Sequence, residues 1–194
     1  MFPLNVPNAL TVFRILLVPV LVVVLLSELE RGDLLAAVIF ATASLTDAVD
    51  GHLARTRKEI TTFGKLMDPV ADKLLILAAL VSLVQLGRLA AWVAMVIIAR
   101  EFAVTVSRMA ATQQGVVVSA GSWGKAKTSV QVAAVFFLIA VDGSPLWLDL
   151  LVFATVAITI VSGIDYFFGL RRLTREAEAR RAAEAASAAE AAPR

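Results

Sequence analysis

Six apolar stretches follow one another along the chain, at residues 9–27, 34–53, 69–85, 89–111, 130–140 with its flanks, and 146–170. A helix needs roughly 20 apolar residues to cross the hydrocarbon core of a bilayer, so runs of this length predict membrane spans. They are rich in Leu and Ala and do not alternate in polarity, as strands with one lipid-facing side must, which excludes a barrel. With 59% hydrophobic residues the chain lacks the polar surface of a water-soluble domain. The expected fold is all-α, a polytopic membrane bundle of six transmembrane helices.

Basic residues orient such a bundle, because Lys and Arg collect on the cytoplasmic side. Sixteen of the 18 fall at ends and loops of one side, and only Arg31 and Arg88 fall on the other. Both termini are therefore expected in the cytoplasm, with the chain a multi-pass protein of the plasma membrane. The first run has no basic stretch before it and no small-residue cleavage pattern after it, which predicts a retained span rather than a signal peptide. The membrane domain is expected over residues 1–170. From Arg171 the sequence turns to Ala, Glu and Arg, with Glu176 and Arg180 spaced for a helical ion pair, so residues 171–194 read as a polar cytoplasmic tail. No Cys is present, which removes disulfides, thiolate metal sites and thiol nucleophiles.

Against this apolar background one segment carries four carboxylates and an arginine: Asp47-x-x-Asp50-Gly51-x-x-Ala54-Arg55, eight residues, then Gly64-x-x-x-Asp68-x-x-x-Asp72. Charge at membrane depth is costly and marks function. On a helix, Asp47, Asp50 and Ala54 share one face at i, i+3 and i+7, while Gly64, Asp68 and Asp72 share another at i, i+4 and i+8. Two facing helices would pool four anionic donors, which repel unless protonated or neutralised. A pair of divalent ions meets that need, and oxygen-only ligands select Mg2+ or Mn2+. Pro69 directly after Asp68 leaves two geometries open. Asp68 caps a helix that starts at Pro69, or the helix starts near Thr62 and kinks at the proline. The register of Gly64, Asp68 and Asp72 favours the second.

The pattern from Asp47 to Asp72, eight fixed identities within 26 positions, resembles the signature of the CDP-alcohol phosphatidyltransferase family and shows no departure from it. The resemblance implies that a hydroxyl attacks the phosphorus next to the diacylglycerol of a CDP-linked lipid and expels CMP. It further implies that Asp47, Asp50, Asp68 and Asp72 hold two Mg2+ or Mn2+ ions, and that Asp72 is also the catalytic base for the acceptor hydroxyl. A pyrophosphate donor brings several negative charges for such ions to bridge. For the CDP-lipid, Asp50 belongs to the donor site, Gly51, Ala54 and Gly64 leave room for the nucleotide, and Arg55 clamps phosphate oxygens in a two-pronged way. A homodimer is also implied.

Three further segments are similar to the branch of that family that makes phosphatidylglycerol phosphate from sn-glycerol 3-phosphate: Pro7-Asn8-x-Leu10-Thr11-x-x-Arg14, Ala99-Arg100-Glu101 followed by Arg108, and Gly124-Lys125-x-Lys127-Thr128-x-x-Gln131. Arg100, Arg108, Lys125 and Lys127 then become candidates for a cationic cup around the acceptor's phosphate. The competing reading is that they obey the topological bias and meet lipid headgroups. Asn8, Thr11 and Arg14 are read as residues that touch the nucleotide or organise the first helix. His52 has no second His or Cys with which to build a soft metal site. The expected partners are CDP-diacylglycerol, glycerol 3-phosphate and membrane lipid, with no nucleic acid. A cardiolipin synthase or a phosphatidylinositol phosphate synthase of the same family is the nearest alternative, and a cation transporter a remote one.

Overall fold

A computed structural model of the chain describes the backbone of residues 6–27, 29–57, 62–113 and 122–191. Within these segments the side chains of 6, 7, 47–57, 62–66, 68, 69, 72, 113, 122–126, 176–178 and 180–191 lie outside the description. Six α-helices and no strand occur among the described residues: α1 (Val6–Leu26), α2 (Gly32–Arg57), α3 (Thr62–Gln85), α4 (Ala91–Gln113), α5 (Ser122–Ala140) and α6 (Leu146–Ala191). The helix α3 begins at Thr62 and continues through Pro69, so Asp68 sits inside a helix rather than capping one.

Among the described residues two stretches are long and apolar enough to cross a bilayer: Asn8–Leu26, with a mean hydropathy of 2.8, and Leu146–Arg175, with 2.0. In α2, α3 and α5 shorter apolar stretches remain, Gly32–Thr46, Lys73–Gln85 and Lys127–Ala140. The number of helices agrees with the six apolar runs, but their apolarity is not uniform. Asp47, Asp50, Arg55 and Arg57 interrupt α2, Asp68 and Asp72 interrupt α3, and Arg100, Glu101 and Arg108 interrupt α4.

The distribution of polarity across the helices is inverted relative to a water-soluble protein. The α1 helix buries Asn8, Thr11 and Arg14 at i, i+3 and i+6 while exposing Val12, Phe13, Leu16, Val20 and Val23. The α6 helix buries Thr155, Thr159, Ser162 and Tyr166 while exposing Phe153, Ile160, Ile164, Phe167 and Phe168. Polar groups inside and large apolar groups outside suit hydrocarbon surroundings, where every polar side chain needs a partner within the protein. Accordingly Thr42, Thr46, Thr105, Thr112, Thr155 and Thr174 each donate to the carbonyl four residues earlier.

The chain divides into two compact units. The first comprises Met1–Met95 and Ser129–Thr155. Here α1 packs along both α2 and α3, which among the described residues meet each other only sparsely. Ala36, Ala37 and Ala43 are buried on α2, and such small side chains let helices approach closely. The end of α3 is set by Gly87 at φ 71°, a left-handed conformation that a side chain would strain. Around it the Arg88 and Gly87 amides donate to the Leu83 and Val84 carbonyls at 2.9 and 3.0 Å, a Schellman closure. The reversal presents Arg88, which pairs with Asp33 in the first turn of α2 at 2.6 Å and donates to the Ile139 carbonyl at the end of α5 at 3.2 Å. One guanidinium thus joins three helices at the ends of α2 and α3 that do not carry the Asp pattern.

The second unit comprises Val96–Thr128 and Val156–Arg194. The helix α6 runs for 46 residues without a break at Leu170 or Arg171, so the polar segment continues the apolar one as helix.

Candidate active site

The Asp pattern maps onto two consecutive helices. Asp47, Asp50, Gly51, Ala54 and Arg55 lie in the last turns of α2, and Gly64, Asp68 and Asp72 in the first three turns of α3. Their side chains lie outside the described residues, as does that of Lys125 in the first turn of α5. The backbone carries the register that the sequence requires: each Asp pair spans one turn of continuous helix, and only residues 58–61 separate the two helices. The helix α1 packs along both α2 and α3 and holds them in one unit. The donor set contains carboxylate oxygen and no His or Cys ligand, which fits hard divalent cations.

A third helix contributes to the same unit. Arg14 on α1 is fully buried, at 0% exposure, and its Nε donates to the Ala43 carbonyl at 3.2 Å. Ala43 lies one turn before Asp47 on α2, and a helical carbonyl keeps a second lone pair for such a donor. A guanidinium removed from water requires acceptors of this kind. Asn8 and Thr11, also buried, complete the polar face of α1. The structure therefore places these three residues within the packing that carries the Asp helices.

The cationic candidates lie in the second unit. Arg100 on α4 is part-buried; its Nη2 donates to Ser162 Oγ on α6 at 3.1 Å, and its Nη1 lies 3.6 Å from Glu101 Oε1. Lys127 on α5 is 3% exposed, and its ammonium pairs with the same Glu101. Arg108 is exposed and sits over the Tyr166 ring, its guanidinium carbon 5.8 Å from the centroid, within cation–π range. Arg100 and Lys127 are thus gathered around one carboxylate, and Arg108 is set on an aromatic face of α6. Among the described residues, Arg100, Lys127 and Arg108 against Glu101 leave this cluster with a net positive charge, which favours an anionic ligand.

The motifs did not single out Ser162, Gly163 or Tyr166, which make these contacts. A signal was present: Thr155, Thr159, Ser162 and Tyr166 recur at i, i+4, i+7 and i+11 in the last apolar run, a polar stripe on one helical face. A cavity of about 160 Å³ lies in the first unit beside Arg88, Trp92, Leu138, Leu148 and Phe153, and no residue predicted for the site lines it.

Comparison with known proteins bears on both clusters. The model of the CDP-alcohol phosphatidyltransferase family matches residues 4–162. The chain is 42% identical over 181 residues to the CDP-diacylglycerol–glycerol-3-phosphate 3-phosphatidyltransferase of Bacillus subtilis (strain 168), covering 84% of this chain and 93% of that protein. It is 40% identical over 168 residues to the probable phosphatidylglycerophosphate synthase of Mycobacterium tuberculosis (strain ATCC 25618 / H37Rv), covering 84% and 79%. A Rickettsia bellii (strain RML369-C) protein that carries the same name as the Bacillus one is 32% identical over 169 residues, covering 84% and 93%. The match spans the Asp pattern and both arginines of α4, and on that extent the chain belongs to the CDP-alcohol phosphatidyltransferase family.

Proposed function

We propose that this chain is a CDP-diacylglycerol:glycerol-3-phosphate 3-phosphatidyltransferase, which moves the phosphatidyl group of CDP-diacylglycerol to sn-glycerol 3-phosphate and releases CMP. The observation that carries this reading is the agreement of relatives from different bacterial genera, alike over 84% of the chain, on one named activity or its synonym. The product would feed phosphatidylglycerol and cardiolipin synthesis. The cation-transporter alternative has no support in these relatives.

The donor is assigned to α2 and α3. Asp47, Asp50, Asp68 and Asp72 would hold two divalent ions, Mg2+ or Mn2+, a role supported by the oxygen-only donor set in helical register at two joined helix ends. Ions bound there supply positive charge against the pyrophosphate and the leaving CMP. Asp72 takes the acceptor's hydroxyl proton as that oxygen bonds to the phosphorus next to diacylglycerol and the bond from this phosphorus to CMP breaks. Arg55 grips phosphate oxygens of the donor, and Gly51, Ala54 and Gly64 leave the nucleotide room. Asn8, Thr11 and Arg14 complete the donor side from α1.

The acceptor's phosphate is assigned to Arg100, Arg108, Lys125 and Lys127. A phosphomonoester carries about two negative charges near neutral pH, which matches a cluster with more cations than carboxylates. A neutral acceptor would leave those charges uncompensated. All six helices are assigned to the plasma membrane, with the Asp-bearing ends and both termini on the cytoplasmic side, as the Lys and Arg bias supports. A homodimer is assigned from the family resemblance.

Purified protein given labelled CDP-diacylglycerol and each acceptor in turn tests the reading. CMP release is expected with sn-glycerol 3-phosphate and not with phosphatidylglycerol or inositol 1-phosphate. Release with either of the latter two alone assigns the chain to cardiolipin or phosphatidylinositol phosphate synthesis instead.

A further inference from the structure

We infer that Ser162, Gly163 and Tyr166, neighbours on one face of α6, are positioning residues that hold Arg100 and Arg108 of α4 ready for the acceptor's phosphate. The inference rests on the acceptor assignment above and extends it to a helix that no motif reached. A long side chain free to sample many rotamers loses that freedom when it grips an anion, so fixing it beforehand strengthens binding. Arg100 is fixed at three points. Ser162 Oγ accepts from its Nη2 at 3.1 Å, Glu101 lies 3.6 Å from its Nη1, and its stem crosses Gly163, where an added Cβ would meet Arg100 Cγ at 3.4 Å and Nε at 4.0 Å. Any side chain longer than alanine at 163 would occupy the path of that stem. Meanwhile Arg100 Nε has no hydrogen-bond partner among the described residues, although it is buried. An unpartnered donor on a charged group is costly unless a ligand takes it.

Arg108 is held differently. Tyr166 is 9% exposed, so its ring is a fixed platform, and the guanidinium sits 5.8 Å from the ring centroid. Glu101 does not neutralise this arrangement, because the buried ammonium of Lys127 also pairs with it. Two guanidinium groups are thus braced by uncharged residues of α6, which restrict their motion without cancelling their charge. Carboxylates in the same places would have braced them equally well and removed the attraction for a dianion.

The test measures KM for sn-glycerol 3-phosphate and for CDP-diacylglycerol by CMP release from the full-length protein. Tyr166→Leu and Gly163→Leu should each raise the glycerol 3-phosphate KM by about fivefold or more, with the donor KM unmoved. Ser162→Ala, which removes one hydrogen bond and adds no bulk, should raise it by about threefold. Tyr166→Phe keeps an aromatic face, Gly163→Ala adds only a Cβ at ordinary contact distance, and each should recover most of the loss seen in the Leu variant. An unchanged acceptor KM in the two Leu variants and Ser162→Ala overturns the inference, as does an equal rise in both KM values. So does a Tyr166→Phe variant as poor as Tyr166→Leu, which would make the hydroxyl itself the phosphate's contact. Arg108→Ala separates the levels. If it raises the acceptor KM while the α6 variants stay silent, only this inference fails; if it too is silent, the acceptor assignment fails with it.

Discussion

Arg14 allows stability and chemistry to be pulled apart at one position. It heads the fully buried side chains by volume, and its Nε donates to the Ala43 carbonyl at 3.2 Å. Arg14→Ala removes a charge-assisted hydrogen bond, a contribution of about 1.5–3 kcal/mol, and leaves a cavity whose cost adds to it. Together these give about 3–5 kcal/mol. For a chain of this size each kcal/mol moves Tm by about 2–4 °C, so the midpoint should fall by about 10 °C. Arg14→Met keeps much of the volume and deletes the charge, so it avoids most of the cavity cost but still loses the hydrogen bond. Its midpoint should fall by about half as much. If Arg14 serves the donor site, CMP release should nonetheless fall in both variants, by about 100-fold. Thermal unfolding in detergent, followed by the fluorescence of the three tryptophans, supplies one readout, and CMP release supplies the other. Wild-type turnover in Arg14→Met would show that the residue only fills space between α1 and α2. A midpoint as low as that of Arg14→Ala would show instead that the guanidinium itself fastens the two helices.

Asp72→Asn should reduce CMP release by about 100-fold or more while equilibrium binding of CDP-diacylglycerol weakens far less, since the amide keeps the shape and loses the base. Equal losses would leave Asp72 as an ion ligand only. Treatment with EDTA should abolish CMP release, and added Mg2+ or Mn2+ should restore it; turnover that persists in excess chelator removes the two-ion assignment. Arg88→Met and Asp33→Leu, combined in a double-mutant cycle of thermal stability, should show a coupling of about 1 kcal/mol and no more, because the pair is 24% and 38% exposed and partly screened. Neither substitution should move either substrate KM, since both residues lie at the helix ends without the Asp pattern. A shift in KM would show that this end of the molecule communicates with the chemistry.

Hydropathy alone revealed how many helices to expect, because each apolar run forces its backbone groups to pair internally. It was poorer at their ends. The fifth run shows its apolar signal only over 130–140, and its flank is part of the helix from Ser122. Lys125, Lys127 and Gln131 break the apolar signal there, and the burial of Lys127 against Glu101 is a tertiary fact that no window of sequence contains. At α3 the reverse occurred. The proline argued for a boundary at residue 69, but the spacing of Gly64, Asp68 and Asp72 pointed to a start near Thr62, where the helix begins. The helical register of the Asp pattern was legible because the spacing is local, one turn within each helix. The bracing of Arg100 and Arg108 was not, because Ser162 and Tyr166 lie some 60 positions away in the chain. The knot at Arg88 was hidden for the same reason, with partners 55 and 51 residues distant.

With α1 wedged along both α2 and α3, the girth of the first helix acts as a gauge for the spread between its two neighbours. Enlarging a side chain there, for instance at the buried Leu21 or Leu25, about two and three turns beyond Arg14, would splay the pair as a thicker shim opens a vice. Loss of turnover from a substitution in that greasy and chemically inert stretch would then report a change of calibre.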